Sequence, residues 1–172
     1  TRNARLRNGA SELVDIGAAV KALINHISGG AETLFAATSS KVFDTGRAAF
    51  SNTFAEWEGL SSSDWVSSQI STAAGEFMTA VNGTDYAFSF NGTEMNPICG
   101  EAINNLIFDA ETAAFAVGQT VTGGTSSATA TIFGIAKTST TAGTLKVGTI
   151  TGTFQDNETI TDGVTGSATS AI

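Results

Sequence analysis

Phe115-Ala-Val-Gly-Gln-Thr-Val-Thr-Gly-Gly124 and Phe154-Gln-Asp-Asn-Glu-Thr-Ile-Thr-Asp-Gly163 are two copies of one pattern. After a one-residue insertion the match resumes, Thr125-Ser-Ser-Ala-Thr-Ala-Thr-Ile132 against Thr165-Gly-Ser-Ala-Thr-Ser-Ala-Ile172. The period is 39 to 40 residues. Apolar and polar positions alternate briefly within each copy, and paired small residues mark turns. β-Branched Thr and Val supply bulk that suits a pleated surface. The stretch between the copies, Thr144-Leu-Lys-Val-Gly-Thr-Ile150, alternates as well and reads as a linker. A short β unit cannot bury a face alone, so the two copies are expected to pack on each other as a small barrel or sandwich.

Upstream of the repeat the composition changes. Residues 112–172 hold 17 Thr and five charged side chains, while residues 1–111 hold 13 of the 16 acidic residues and 11 of the 14 aromatics. We place a boundary at 109–113, giving a turn-rich β domain (1–111) and a Thr/Gly-rich β module (112–172). Asn8-Gly9, Asn82-Gly83 and Asn91-Gly92 suit type I′ turns, whose central residues both need positive φ. Around the last two, 76–81 and 86–90 read as successive strands of a meander. Phe77, Thr79 and Val81 share one strand face; Tyr86, Phe88 and Phe90 share a face of the next. A second hairpin joins 33–37 to 41–44 through Thr38-Ser-Ser40. One segment is ambiguous: Leu13, Ile16, Val20, Leu23 and Ile27 fall at helical spacing behind a capping Ser11, with Gly17 weakening the helix by about 1 kcal/mol.

Whole-chain arithmetic narrows the chemistry. In 172 residues there is one Cys, one His and one Pro, with a formal net charge of -8. The length suffices for a buried core, and 41% apolar residues with few charges argue against wholesale disorder. No apolar run approaches the roughly 18 residues of a membrane span. A net negative chain is a poor general coat for nucleic acid, so no direct nucleic-acid partner is expected. One Cys excludes an internal disulfide and any multi-Cys zinc site. The first residue is Thr1 and no signal-peptide layout follows, so a processed chain or a fragment is expected.

Few residue constellations point to catalysis. His26 lacks an accompanying nucleophile motif, and a half-buried or surface histidine is the plainer reading. Cys99 has an acidic neighbour, Glu101, rather than the cationic one that activates a thiol. Glu56/Glu58 and Asp156/Glu158 could form a glycosidase pair only if each faced a common cleft; solvated carboxylates are the simpler reading. The oxygen-rich run 156–162 departs from the EF-hand pattern, which makes calcium a weak reading, and Gly123-Gly124 fits no phosphate loop. No catalytic, cofactor or metal residue is assigned. Arg2, Arg5 and Arg7 form an N-terminal arm that could contact a phosphate or an acidic neighbour; as a strand, Arg5 and Arg7 would share a face, which fits the edge-guarding use of cations and is the plainer reading. Phe50, Phe54 and Trp57 form a candidate contact stripe, and core burial explains them equally well. Trp65 joins Trp57 as a candidate stacking platform. The candidate interface is therefore Arg5, Arg7, Phe50, Phe54, Trp57 and Trp65. The acceptor-like triplets beginning at Asn82, Asn91 and Asn157 need no secretory route, since two of them are turns.

The order of several short motifs is more informative than any one of them. Leu6-Arg-Asn-Gly9, Gly30-Ala-Glu-Thr-Leu-Phe-Ala-Ala37, Lys41-Val-Phe-Asp44, Asp64-Trp65, the run from Ser71 to Val81-Asn-Gly-Thr-Asp85, and Phe90-Asn-Gly92 follow one another. This order resembles the N-terminal part of tailed-phage virion structural proteins, β-propeller-like components linked to the neck or tail. The likeness spans roughly residues 4–98, and the tail resembles small β modules appended to virion proteins. Such proteins usually run to several hundred residues, so a complete propeller is not expected. The resemblance implies strand and loop over 11–28, against the helical spacing. It further implies a mainly β fold, with antiparallel propeller-blade-like hairpins ahead of the repeat module. The function it implies is non-enzymatic: a virion component of neck, tail or capsid surface. Its partners would be other phage structural proteins in a symmetric homo-oligomer. The competing readings are a glycan-binding or adhesive module displayed on the particle and, behind it, a cell-wall glycan hydrolase.

Overall fold

The computed structural model describes residues 14–46 and 55–172. The chain is mainly β, with no helix among the described residues and antiparallel pairing throughout. Three groups of strands form. The first is a sheet of β1 (Ala22–Ser28), β2 (Ala31–Ala37) and β3 (Val42–Asp44). The second is a four-stranded meander of β4 (Val66–Thr72), β5 (Gly75–Val81), β6 (Ala87–Phe90) and β7 (Met95–Ile98). The third comprises β8 (Asn104–Ala113), β9 (Thr120–Gly123), β10 (Thr129–Lys137), β11 (Gly143–Val147), β12 (Thr159–Thr161) and β13 (Ser167–Ser170). These pair in the order β10-β11-β8-β13-β12-β9, and β9 pairs back onto β10 to close the ring.

Over 14–27, the part of that segment within the described residues, the helical spacing does not produce a helix. Gly17 sits at φ 68°, its amide held by the Asp15 carboxylate, so the chain turns where a helix would have continued. Burial in β1 follows the strand period: Ile24 and His26 go inward, Leu23 and Ile27 outward. The 33–44 hairpin forms as expected, with Thr38 Oγ1 accepting the amides of Ser40 and Lys41 in its turn.

The meander's turns form by a different mechanism from the one expected. Gly83 and Gly92 have φ of 76° and 96°, but neither Asn82 nor Asn91 enters the positive-φ region a type I′ turn requires. Each Asn instead turns its side-chain oxygen back on the chain. Asn82 Oδ1 accepts the amides of Thr84 and Asp85; Asn91 Oδ1 accepts those of Thr93 and Glu94. These are Asx turns in loops of four and five residues. The inward face of β5 is Met78 and Ala80, so the Phe77, Thr79, Val81 face is the outer one. On β6, Phe88 and Phe90 point inward, while Tyr86 precedes the strand and stays exposed.

The two open sheets share a core of Ile24, Phe35, Val42, Trp57, Met78, Phe88, Phe90 and Met95. His26 belongs to it: the ring lies edge-on to Phe90 at 5.0 Å, and Nε2 is 3.1 Å from the Glu76 carbonyl. The ring of strands encloses a second core, led by Leu106, Phe108, Phe115, Ile132, Leu145 and Ile160.

In that ring the repeat is larger than the sequence match. The expected linker is β11, and the expected boundary at 109–113 falls inside β8. Leu106 pairs with Leu145 and Thr122 with Thr161, each partner lying 39 residues on. These two cross-copy pairings are therefore centred on equivalent residues. The repeating unit is three strands, β8-β9-β10 and β11-β12-β13, and exchanging the two units maps the ring onto itself.

One short extended segment joins the sheets to the ring. Trp57 exchanges both backbone hydrogen bonds with Val42 of β3, at 2.9 and 3.2 Å. Its neighbours face the other way: the Glu58 amide donates to the Ile135 carbonyl, and the Lys137 amide donates to the Ala55 carbonyl. The Trp57 ring lies flat in the space that a side chain at Gly134 would fill. Gly134→Val would drive its side chain into that ring, and is expected to lower unfolding stability by about 2–4 kcal/mol in urea melts. A Gly134→Val protein as stable as the parent would show that the ring and the sheets are not joined through this contact.

Candidate interaction surface

The acidic side chains that attracted notice in the sequence are committed to holding the backbone. Glu158 is 4% exposed and reaches out of the second repeat into the loop of the first. Oε2 accepts the amides of Thr125 and Ser126; Oε1 accepts the Ser126 hydroxyl and the amide of Gln155. Burial alone would raise its pKa, but these donors outweigh it and hold the carboxyl at about 2. Asp162 does the same for its own loop, accepting the amides of Val164, Thr165 and Gly166 and also that of Ala116; against the cost of burial, its pKa too is lowered. This division explains how the copies diverge. Where the second copy has Asp162 the first has Gly123, because any side chain there would collide with Glu158 and Ser126.

Three of the four paired carboxylates, Asp156, Glu158 and Glu58, are held by partners of their own. Asp156 accepts the Asn157 side chain and the Ile172 amide, away from the buried Glu158. Glu58 accepts Lys41 Nζ at 2.9 Å and the Ala55 amide. No group of three or more potential metal-ligating side chains occurs among the described residues. Cys99 is half-buried, its thiol 3.7 Å from the Glu101 carbonyl.

Of the expected interface residues, Arg5, Arg7, Phe50 and Phe54 lie outside the described residues. Trp57 is corrected from contact residue to core residue: it is 2% exposed and stacks at 5.8 Å on Phe88. Trp65 is half-buried, packed on the other side of Phe88 at 5.4 Å. The cause is size: two indoles flanking Phe88 fill a core that two thin sheets could not otherwise close.

A cleft of about 420 Å³ separates loop 82–86 from the ring, lined by Gly59, Ser61, Thr84, Asp85, Tyr86 and Gly118. Tyr86 stands edge-on to Phe133 at 5.0 Å. The Asp85 carboxylate is already bound by the Ser61 amide and hydroxyl and by Asn82 Nδ2, which outweigh burial and lower its pKa. The cleft's charged group is thus a loop anchor.

The exposed apolar surface lies elsewhere, on the outer side of the meander. Register places Val66 opposite Val81 and Ala87 opposite Ile98, forming one apolar row across all four strands. The next row, Ser68, Thr79, Ser89 and Asn96, is polar; Ile70 and Phe77 begin another apolar one. Val66, Ile70 and Ile98 are 68, 53 and 48% exposed. Sequence periodicity placed Phe77, Thr79 and Val81 together without showing which side they took. No sequence signal settles it, because the neighbouring stretch 65–72 carries no charge to mark either face.

Comparison of the chain with protein-family models, curated protein sequences and solved structures returned no match.

The depressed carboxyl pKa values set a pH dependence. A group titrating lower when folded than when unfolded contributes stability above its unfolded pKa and loses it as pH falls towards the folded one. For Glu158 that window runs from 4.5 down to about 2. Thermal unfolding is expected to be flat in pH from 7 to 5.5 and to fall steeply below 4.5, with Glu158→Gln already destabilised at pH 7 and less steep. A parent protein equally stable at pH 7 and 2.5 would contradict the assignment.

Proposed function

We propose that the chain is a non-enzymatic assembly component of a tailed-phage particle, acting through the outer side of its four-stranded meander. The observation that carries this reading is the row Val66, Val81, Ala87 and Ile98, apolar across every strand of one sheet, with Val66, Val81 and Ile98 exposed and Ala87 half-buried between them. Soluble monomers rarely leave such a continuous patch uncovered, and covering it removes apolar area from water at about 25 cal/mol per Å². The resemblance of 4–98 to neck- and tail-linked virion proteins supplies the context. A four-stranded antiparallel meander is the form of a propeller blade, and the closed ring after it fits a small barrel built from a two-fold repeat. Commitment of the buried carboxylates to loop amides suits a scaffold: these anions hold turns in place and are not poised to transfer protons. In this reading the chain resides in the virion, among other phage structural proteins.

The test is particle composition. Density-banded particles of a tailed phage encoding the chain should contain it at constant stoichiometry by quantitative mass spectrometry. A Val81→Lys/Ile98→Lys protein, folded by circular dichroism, should be depleted from the band at least tenfold. Finding the chain only in the unbanded soluble fraction would overturn the proposal.

A further inference from the structure

Open β-sheets end in unpaired amides and carbonyls, and proteins ordinarily blunt such edges with charge, Pro, bulges or cover. The two open sheets have four edges. At β1, the Gln69 side chain crosses over and clamps Ile27, accepting from its amide at 2.9 Å and donating to its carbonyl. At β3, Trp57 pairs with Val42. The β7 edge carries Pro97, which has no amide to offer. Among the described residues, only β4 is left without a device. Its seven residues, Val66-Ser-Ser-Gln-Ile-Ser-Thr72, contain no charge and no Pro. They pair with β5 in unbroken register from Val66↔Val81 to Thr72↔Gly75, so no bulge twists the edge away. All seven are exposed.

From this we infer that β4 is a self-association edge, pairing antiparallel with β4 of a second copy of the chain. The sequence of the strand is compatible with itself. Centred on Gln69, the pairing sets Val66 opposite Thr72, Ser67 opposite Ser71 and Ser68 opposite Ile70; the nearest preceding carboxylate, Asp64, falls beyond the paired stretch, opposite Ala74. That matters for a chain of net charge -8, whose copies repel each other over most of their surface. The strand itself brings no charge to such a meeting, and the carboxylate beside it, Glu76 of β5, is held by Gln69 Nε2 and Ser71 Oγ. The union makes an eight-stranded sheet whose outer apolar residues, Val66 and Ile70, run on into their counterparts. It is also self-limiting: each copy spends the one edge left unguarded among its described residues, so association closes as a two-fold dimer.

This inference rests on the meander being an assembly surface, but it is measured on the isolated chain, so its failure leaves particle incorporation to be judged separately. Sedimentation equilibrium of the full chain from about 1 to 300 μM should show a rise towards twice the 17.5 kDa chain mass. Ser68→Lys and Ile70→Lys, which restore the usual edge charge, should each weaken dimerisation at least tenfold. Ile98→Lys, on the same outer face but three strands away, should leave it within about twofold. Circular dichroism and thermal melts establish that each variant is folded. A parent chain that stays monomeric to 300 μM, a dimer indifferent to both β4 lysines, or one abolished equally by Ile98→Lys would each overturn the assignment.

Discussion

Trp57 is the residue on which the arrangement of the whole chain turns. Its backbone completes the edge of the first sheet through Val42, while its ring contacts Phe88 of the meander and covers Gly134 of the ring. The adjoining residues bond to β10 on the opposite side. Two thin sheets and a closed ring thus meet at one indole, and each gives up something to accommodate it. The ring gives up a side chain at Gly134, next to the point where the β10–β11 register shifts. A second tie lies nearby: Lys146, buried on β11, donates to Glu94 of the meander at 2.6 Å, and this bond chiefly lowers the Glu94 pKa. Removing Glu94 would leave a buried ammonium unpaired, which is why such ties are costly to break.

Much of the strand pattern could be read in advance, because period-two alternation and Gly-marked turns are local properties. The repeat announced itself at 115–132 and 154–172. Its first strands did not: β8 and β11 share little beyond Leu106 and Leu145, since their equivalence lies in pairing register and not in side-chain identity. The Asn82-Gly83 and Asn91-Gly92 loops fall where the dipeptides place them but with a different turn type, while Asn8-Gly9 lies outside the described residues. Asn bonds its own backbone as readily as it adopts positive φ, and the dipeptide alone does not choose between them. At 13–27 spacing favoured a helix; the Asp15–Gly17 turn decided otherwise, and the tertiary demand for Ile24 and His26 in one core set the strand.

Sites were harder to read than strands. Carboxylates at 156, 158 and 162 look alike as a string of oxygen donors. Only the fold shows that Glu158 serves the other repeat's loop while Asp162 serves its own. Aromatic residues posed the opposite difficulty: Trp57 and Trp65 look like contact residues by type, and the packing of two sheets on Phe88 turned both inward. The surface that remains open is built from Val, Ile, Ser and Thr, residue types that draw no attention singly. It becomes visible when register places them in rows, and when every other sheet edge proves to be blunted.

The central claim is that β4 is a strand awaiting a partner of its own kind. Amide hydrogen exchange, compared between dilute and concentrated chain, reads this directly. Amides within Val66–Thr72 should gain protection on concentration, while those of Met95–Ile98 on the opposite edge should not change. Equal and rapid exchange across Val66–Thr72 at both concentrations would contradict it.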